Sequence, residues 1–376
     1  MRSIHKLFAF LSSFLLGASA LVGQGAASGP KPSPDVLLFT NGEKLVGQLQ
    51  SATGSSVTFK SEMAGLVTVE WSKVQELQTS EKFAIVPKGV TLRHADDGAK
   101  AARGTLTMKD KQIEIAGAAG TPQRMPVADV SNVVNATAFD NAFRRQSFFS
   151  NWKGGATLGI SLTEATQKNQ TISSALNLVR STPSENWLDL RSRTTVEFAQ
   201  AYGKLTQPNV PSVKTDLIHA GVEQDRYLNP RLFAFARAVF DHSFSQGLDL
   251  QQRYGGGLGF VVLKGVNEEL DFKASLDYID QRFQIASLNQ QLFGSSFSET
   301  YTRTFTHSIL FNEQAGITPA WNNTNAYSAF ASAALTFPVY HHFGLTIAAL
   351  DNFLNNPPPT FKKNSFQLTV GATYAF

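Results

Sequence analysis

The sequence contains no cysteine, and this absence removes several classes of protein at once. A chain without thiols has no disulfide framework, no thiolate metal site, no cysteine nucleophile and no lipoprotein anchor. Charged residues are scarce, at 16% of the 376 residues, while 42% of the residues are hydrophobic. This balance is typical of a folded chain and argues against disorder.

Long hydrophobic runs are also missing, because no stretch of about 18 apolar residues follows the N-terminus. The short run at 7–16 follows basic residues and precedes the small residues "GASA". This order predicts a Sec signal peptide over 1–20, with a second candidate cleavage site near Ala26, and a linker over 21–34. An exported chain without an apolar helix can cross a membrane only as a closed sheet.

The formal net charge of +4 falls to +2 once Arg2 and Lys6 leave with the signal peptide. The chain therefore lacks the basic footprint of a nucleic-acid-binding protein, and basic residues do not alternate with aromatic ones. We expect no nucleic-acid partner.

Residues 35–135 are expected to form a periplasmic β domain. "DVLLFTNGEKLVGQLQ" reads as two strands around an Asn41-Gly42 turn, a strong hairpin signal. A weak internal repeat aligns 47–77 with 104–134, each giving a strand, a turn, a strand, a loop and a strand. The pattern resembles tandem SH3-like or Sm-like small β-barrels, and the expected contacts are peptidoglycan or a periplasmic or envelope protein.

Residues 136–150 are expected to link the two halves. Phe139, Phe143 and Phe148 follow helical spacing. The segment is either a short amphipathic helix at the membrane surface or a plain connector.

The composition of the sequence changes over 151–376, where all eight tyrosines and three of the four tryptophans lie. Apolar and polar residues alternate in segments close to the ~9–11 residues that a tilted membrane strand needs. In "LDFKASLDYID", for example, Leu270, Phe272 and Leu276 oppose Asp271 and Lys273. The fold expected is all-β: an antiparallel transmembrane β-barrel of 10–12 strands.

A soluble sandwich would alternate as well, but two features favour the membrane. The segments exceed the ~5–6 residues of soluble strands, and aromatic residues recur at the segment ends, where membrane girdles belong. These residues are Trp152, Trp187, Tyr202, Tyr227, Tyr301, Trp321, Tyr340 and Tyr374. Twelve strands are favoured over ten, because "SETYTRTFTHSILFNEQAGITPAW" has room for two.

The final segment "SFQLTVGATYAF" alternates up to Phe376. With Tyr374 and Phe376 on the outward face, it resembles the C-terminal signal read by the barrel-assembly machinery of bacterial outer membranes. That machinery and the outer-membrane lipid are therefore expected partners.

The inward faces of the strands carry charges of both signs, which a narrow lumen should pair. The charge ladder is expected at Asp189, Arg191, Arg193, Glu197, Arg237, Asp241, Arg253, Asp271, Lys273 and Asp277. A salt-bridged plug is the favoured interpretation. A narrow conduit for ions or small solutes and a binding pocket remain open.

No catalytic, metal or cofactor site is expected. Adjacent strand residues point to opposite faces, so His307 and Ser308 are not expected to form a base–nucleophile pair. His219 has only loosely spaced acidic neighbours, and "YHHFG" reads as a loop or girdle segment. The glycines of "GGGLG", 255–259, are expected to relieve crowding inside a strand.

Residues 247–283 and 356–376 resemble the salt-induced outer-membrane proteins of the YdiY type. The family pattern has Asp in the last turn, where this chain has Asn364. The resemblance implies a non-enzymatic barrel associated with envelope integrity or stress and assigns no catalytic residues. The alternatives are a narrow passive channel or, less favoured, a surface enzyme or adhesin.

Overall fold

The computed structural model describes residues 33–90, 92, 95–116, 122–144, 147–164, 168–185, 187–207, 210–265 and 267–376. The expected signal peptide lies outside the described residues. The chain divides into two units, one formed by residues up to 83 with 103–128 and the other by 84–102 with 129–376. The linker expected at 136–150 falls inside the second unit.

The N-terminal part consists of short strands followed by one helix. Strands β1 to β8 form one sheet in the order β4-β3-β2-β1-β5-β6-β7-β8. The elements are β1 Asp35–Phe39, β2 Lys44–Thr53, β3 Ser56–Ser61, β4 Gly65–Glu70, β5 Val74–Pro87, β6 Ala102–Lys109, β7 Gln112–Ala116, β8 Gln123–Pro126, β9 Val130–Asn135 and the helix α1 Ala136–Phe143.

The predicted Asn41-Gly42 turn joins β1 and β2, which pair antiparallel. Gly42 has a φ of +86°, which a glycine adopts without strain. The Asn41 side chain accepts a hydrogen bond from the Glu43 amide at 3.1 Å and closes the turn.

Both repeated segments contain the same order of elements. In each, three strands lead into one 3₁₀ turn, at Trp71–Lys73 and at Val127–Asp129, and a further strand follows. Trp71 and Val127 open these turns and are both buried. The first unit packs its core around Leu37, Phe59 and Ile113, which are fully buried.

Helix α1 begins at a capped residue and buries one face. The Asn135 side chain accepts hydrogen bonds from the backbone amides of Thr137 and Ala138. Phe139 is fully buried in an apolar cluster with Leu188, and its ring stacks on Trp187 at 5.5 Å. This phenylalanine therefore does not face lipid.

Twelve antiparallel strands close into a barrel, in chain order, with β10 paired to β21. The strands are β10 Trp152–Glu164, β11 Lys168–Thr182, β12 Ser192–Gln207, β13 Val210–Tyr227, β14 Leu232–Ser243, β15 Leu248–Lys264, β16 Glu268–Phe283, β17 Gln290–Thr304, β18 Leu310–Thr318, β19 Ser328–Tyr340, β20 Phe343–Leu354 and β21 Asn364–Ala375. The expected number of twelve is confirmed, and β17 and β18 divide the segment that had room for two strands. We call the end at which β10 begins the terminal end and the opposite end the distal end.

Trp187 was expected at a strand end and Asp189 and Arg191 on the inward face of that strand, and this expectation is wrong. The strand begins at Ser192, and the residues before it form the connection from β11. Leu188 is buried in the cluster around α1, and Trp187 packs against that cluster. Trp187 therefore packs against the helix cluster and does not occupy the membrane-girdle position expected for it.

Candidate functional site: the polar interior of the barrel

The two faces of the barrel wall have opposite character. On β16, the outward residue Leu276 is 64% exposed, whereas the inward residues Asp271 and Asp277 are 2% and 4% exposed. A water-soluble sheet buries the reverse set. The outer surface is therefore apolar and suited to lipid, and the candidate site is the polar interior.

Arg193 is the centre of an ion-pair network near the terminal end. Its guanidinium donates to Asp225 on β13 at 2.7 Å, and to Glu269 and Asp271 on β16 at 2.9 and 2.7 Å. The planar fork of arginine suits several carboxylates at once. Because β12 and β16 are separated by three other strands, Arg193 ties distant parts of the wall across the interior.

Aromatic side chains enclose this network. Tyr227, Phe233, Phe235 and Val261 form a buried apolar cluster inside the barrel. The Arg193 guanidinium lies 5.9 Å from the Tyr227 ring centre and 5.5 Å from that of Phe233, within cation–π range. The interior near the terminal end is therefore packed with side chains.

The glycines of β15 make room for these inward groups. A Cβ atom at Gly259 would lie 2.2 Å from the Phe233 ring, and one at Gly255 would lie 1.9 Å from the Asp277 carboxylate. At both positions, glycine leaves room for an inward side chain of a neighbouring strand, which is the role expected from the sequence.

A second group of ion pairs lies next to the first. Arg237 on β14 donates to Asp277 at 3.2 Å and to Ser275 at 3.1 Å. Lys273 pairs with Glu223 and lies 5.8 Å from the Phe235 ring centre. Each of these pairs again connects β16 to a strand that is not its neighbour.

His219 on β13 lies between two carboxylates. Its Nδ1 is 2.7 Å from Asp241, and its Nε2 is 3.9 Å from Glu197. Gln251 donates to the other oxygen of Asp241 at 3.0 Å, and Gln314 donates to Glu197 at 3.3 Å. With both ring nitrogens facing acidic groups and no hydroxyl among these contacts, the cluster lacks a nucleophile for the histidine to activate.

A row of hydroxyl groups covers the wall on either side of the closing seam. Thr336, Thr346, Thr373 and Thr157 connect β19, β20, β21 and β10 through Oγ1–Oγ1 distances of 2.9, 2.5 and 2.7 Å. Thr346 and Thr373 are buried. Charge is thus concentrated on β12 to β16, and this hydroxyl row lies on the other wall.

The distal end is crossed by a strap, which we define as residues 244–247 between β14 and β15. The Gln246 side chain donates to the backbone oxygens of Asn352 and Lys363 at 3.0 and 2.9 Å. A Cβ atom at Gly247 would lie 2.8 Å from the Phe361 ring. Because β15 and β20 are nearly opposite in a twelve-stranded barrel, the strap spans the opening.

The structure places eight of the ten expected charge-ladder residues on strands of the barrel. The inward members found in the interior network or beside it are Arg193, Glu197, Arg237, Asp241, Arg253, Asp271, Lys273 and Asp277. Asp189 and Arg191 lie instead in the connection before β12, because that strand begins at Ser192.

Sequence reasoning missed four members of the network. These are His219, Glu223, Asp225 and Glu269. The first three lie at odd-numbered positions of β13 and therefore point to the same face. A strict application of the two-residue period to that strand would have found them.

The pair His307 and Ser308 does not lie in a strand, so the parity reasoning applied to it was wrong. Both belong to the 3₁₀ turn Thr306–Ser308, with φ values of +62° and +59°. His341 and His342 form the turn between β19 and β20, where they contact Tyr340 and Tyr374.

Tyr374 and Phe376 lie in an aromatic group at the terminal end. The Tyr374 ring centre is 5.1 Å from that of Phe343 and 6.3 Å from that of Phe376. Both side chains are substantially exposed on the outer face. Their role as an assembly signal stays a prediction.

Among the residues that the structure describes, no group of three His, Cys, Asp or Glu residues is arranged to hold a metal ion. No helix in the same residues is long and apolar enough to cross a membrane.

A closed antiparallel barrel with an apolar outer face and a polar interior is a transmembrane β-barrel of the outer-membrane type. The family model described as "Protein of unknown function, DUF481" matches residues 156–376. The chain belongs to this family.

No curated protein matches the chain in sequence. Among solved structures, the COG4313 outer membrane channel from Pseudomonas putida F1 covers 62% of this chain and 100% of its own, at 11% identity and a TM-score of 0.35. The NanC porin covers 59% of this chain and 98% of its own, at 9% identity and a TM-score of 0.35. The translocator domain of autotransporter NalP from Neisseria meningitidis covers 60% of this chain and 87% of its own, at 9% identity and a TM-score of 0.31. Similarity this low supports no inference about function.

Proposed function

We propose that this protein is a non-enzymatic barrel of the bacterial outer membrane. Its occluded, ion-paired interior serves mechanical stability, and its N-terminal β domain contacts other parts of the envelope from the periplasm. The observation that supports the closed interior most directly is the burial of the inward charges. Asp225, Asp271 and Arg253 are 0%, 2% and 8% exposed, so the interior is closely packed where these side chains lie.

Both ends of the barrel support the same interpretation. Near the terminal end, Arg193 and the aromatic cluster fill the interior. At the distal end, the strap is hydrogen-bonded to the opposite wall through Gln246. A twelve-stranded barrel is also much narrower than a porin of 16–18 strands, which leaves an aqueous channel.

We expect the purified full-length protein to show no stepwise conductance in planar lipid bilayers. Insertion is established in the same samples by heat-modifiable gel migration, because a folded barrel resists detergent until it is boiled. The matched positive control carries Arg193→Ala and Phe233→Ala together with Gln246→Ala and Phe361→Ala, which remove side chains from both ends. Stable conductance of the wild type that Arg253→Trp blocks would instead establish the alternative function, a narrow passive channel.

The N-terminal domain is the second part of the proposal. The expected SH3-like or Sm-like fold and the salt-induced outer-membrane proteins that the barrel resembles support a role in envelope integrity under salt stress. The tip of the β3–β4 hairpin offers a candidate contact, because Met63 is 96% exposed and Leu66 is also largely exposed. Outer-membrane lipid and the barrel-assembly machinery are the other partners proposed.

We expect Met63→Glu with Leu66→Glu to reduce binding to isolated peptidoglycan or to solubilised envelope proteins, because charge replaces an exposed apolar contact. Growth at high salt should fall with it, while heat-modifiable migration stays normal. The matched control reverses exposed charges on the same hairpin, with Lys60→Glu and Glu70→Lys. Unchanged binding and salt tolerance in the first variant would exclude the hairpin tip as the contact.

A further inference from the structure

Arg253 differs from Arg193 and Arg237 because it forms no salt bridge among the described residues. It lies on β15 and is 8% exposed. Among the described residues, its side chain donates one hydrogen bond, a long one from Nη1 to the Thr318 hydroxyl at 3.5 Å. Its Nε has no hydrogen-bond partner, and no carboxylate among the described residues forms an ion pair with it.

A buried guanidinium without a partner is costly, because it has lost its hydration and gained little in return. The neighbouring arginines show how the interior normally compensates. Arg193 has three carboxylates, and Arg237 has Asp277. An equivalent partner for Arg253 is therefore expected, and the protein residues described do not supply it.

The surroundings of Arg253 favour an anion as that partner. The Thr318 hydroxyl lies 2.8 Å from the Ser296 hydroxyl, and both groups can rotate to donate a hydrogen bond. Arg237, which pairs with Asp277, stands opposite Gly255, two positions from Arg253 on the inward face. Its Nε also lacks a partner.

The nearby carboxylates do not replace the missing partner. Asp277 is held by Arg237 and Ser275. Asp241 is held by His219 and Gln251, and Glu197 by His219 and Gln314. They interact with Arg253 only at a distance.

We propose that the barrel interior binds one small monovalent anion, such as a halide, between the Arg253 guanidinium and the hydroxyls of Ser296 and Thr318. The anion is a structural component that gives the buried Arg253 guanidinium a directly bonded counter-charge. Barrel stability then depends on the concentration of small anions, a property separate from conductance and from the N-terminal contacts.

The test compares the full-length protein in detergent micelles with sodium bromide or sodium gluconate at equal ionic strength. Bromide is a small monovalent anion, whereas gluconate is a much larger one. We expect bromide to raise the thermal midpoint of heat-modifiable migration in a saturable manner. Crystals grown in bromide should show an anomalous peak within hydrogen-bonding distance of the Arg253 guanidinium.

Arg253→Gln is expected to lose the bromide-dependent shift of the midpoint. The matched control Arg303→Gln keeps that shift, because Arg303 lies near the terminal end with its side chain 48% exposed. Arg253→Met provides a second variant that removes the charge and keeps the apolar stem. It should fold equally well in both salts.

The proposal is overturned if the wild-type midpoint is the same in bromide and gluconate. It is also overturned if Arg253→Gln retains the full shift, or if the density beside Arg253 is a water molecule with no anomalous signal.

Discussion

Replacing Arg193 with alanine is expected to lower the free energy of unfolding of the barrel by about 3–5 kcal/mol. The change leaves Asp225 and Asp271, whose side chains are 1% and 3% exposed, without their cation at positions that solvent barely reaches. It also removes the cation–π contacts to Tyr227 and Phe233. Urea unfolding in detergent, followed by heat-modifiable migration, measures the loss.

Two further variants separate this effect from general damage. Arg282→Ala removes an arginine whose side chain is 57% exposed and whose partner is Asp280, so the cost should stay below about 1 kcal/mol. Combining Arg193→Met with Asp225→Asn and Asp271→Asn should recover most of the stability, because no unpaired charge remains buried. A negligible effect of Arg193→Ala would contradict this prediction, because it would show that water solvates Asp225 and Asp271 once the arginine is removed.

Replacing Gly257 with alanine is expected to reduce sharply the fraction of protein that assembles as a heat-modifiable barrel. A Cβ atom there would lie 1.9 Å from the backbone oxygen of Ala274 and 2.7 Å from the Cα of Ser275. Because these are backbone atoms of β16, relief requires the β15–β16 ladder to shift, at a cost of about 1–3 kcal/mol or more.

Gly256 on the same strand is the matched control. Its nearest atom to an added Cβ is the Phe235 backbone oxygen at 3.3 Å, so Gly256→Ala requires only a small adjustment. Equal assembly of the Gly256→Ala and Gly257→Ala proteins would contradict the close approach of β15 and β16.

The two-residue period of the sequence was sufficient to predict which residues face inward wherever a strand is long and regular. Asp271, Lys273 and Asp277 on β16 illustrate this, because successive residues of a strand point to opposite faces. The same period failed at Asp189 and Arg191. There the chain leaves the barrel to pack Leu188 against α1, and a local pattern does not reveal packing against a separate element.

Partner choice inside the barrel could not be predicted in the same way. Arg193 and Asp271 lie on β12 and β16, and their contact depends on the curvature of the closed wall. The isolation of Arg253 is also a property of the closed barrel.

The sequence alone determined that this chain forms an all-β protein with a membrane-type barrel, because a lipid-facing wall requires long alternation and a polar lumen requires charges on the other parity. Only the tertiary structure decided which charges meet, that the strap crosses the distal end, and that the buried Arg253 forms no salt bridge among the described residues. Those features arise when strands that are distant in the chain are brought together across a closed interior, and a local sequence pattern does not encode which distant strands meet.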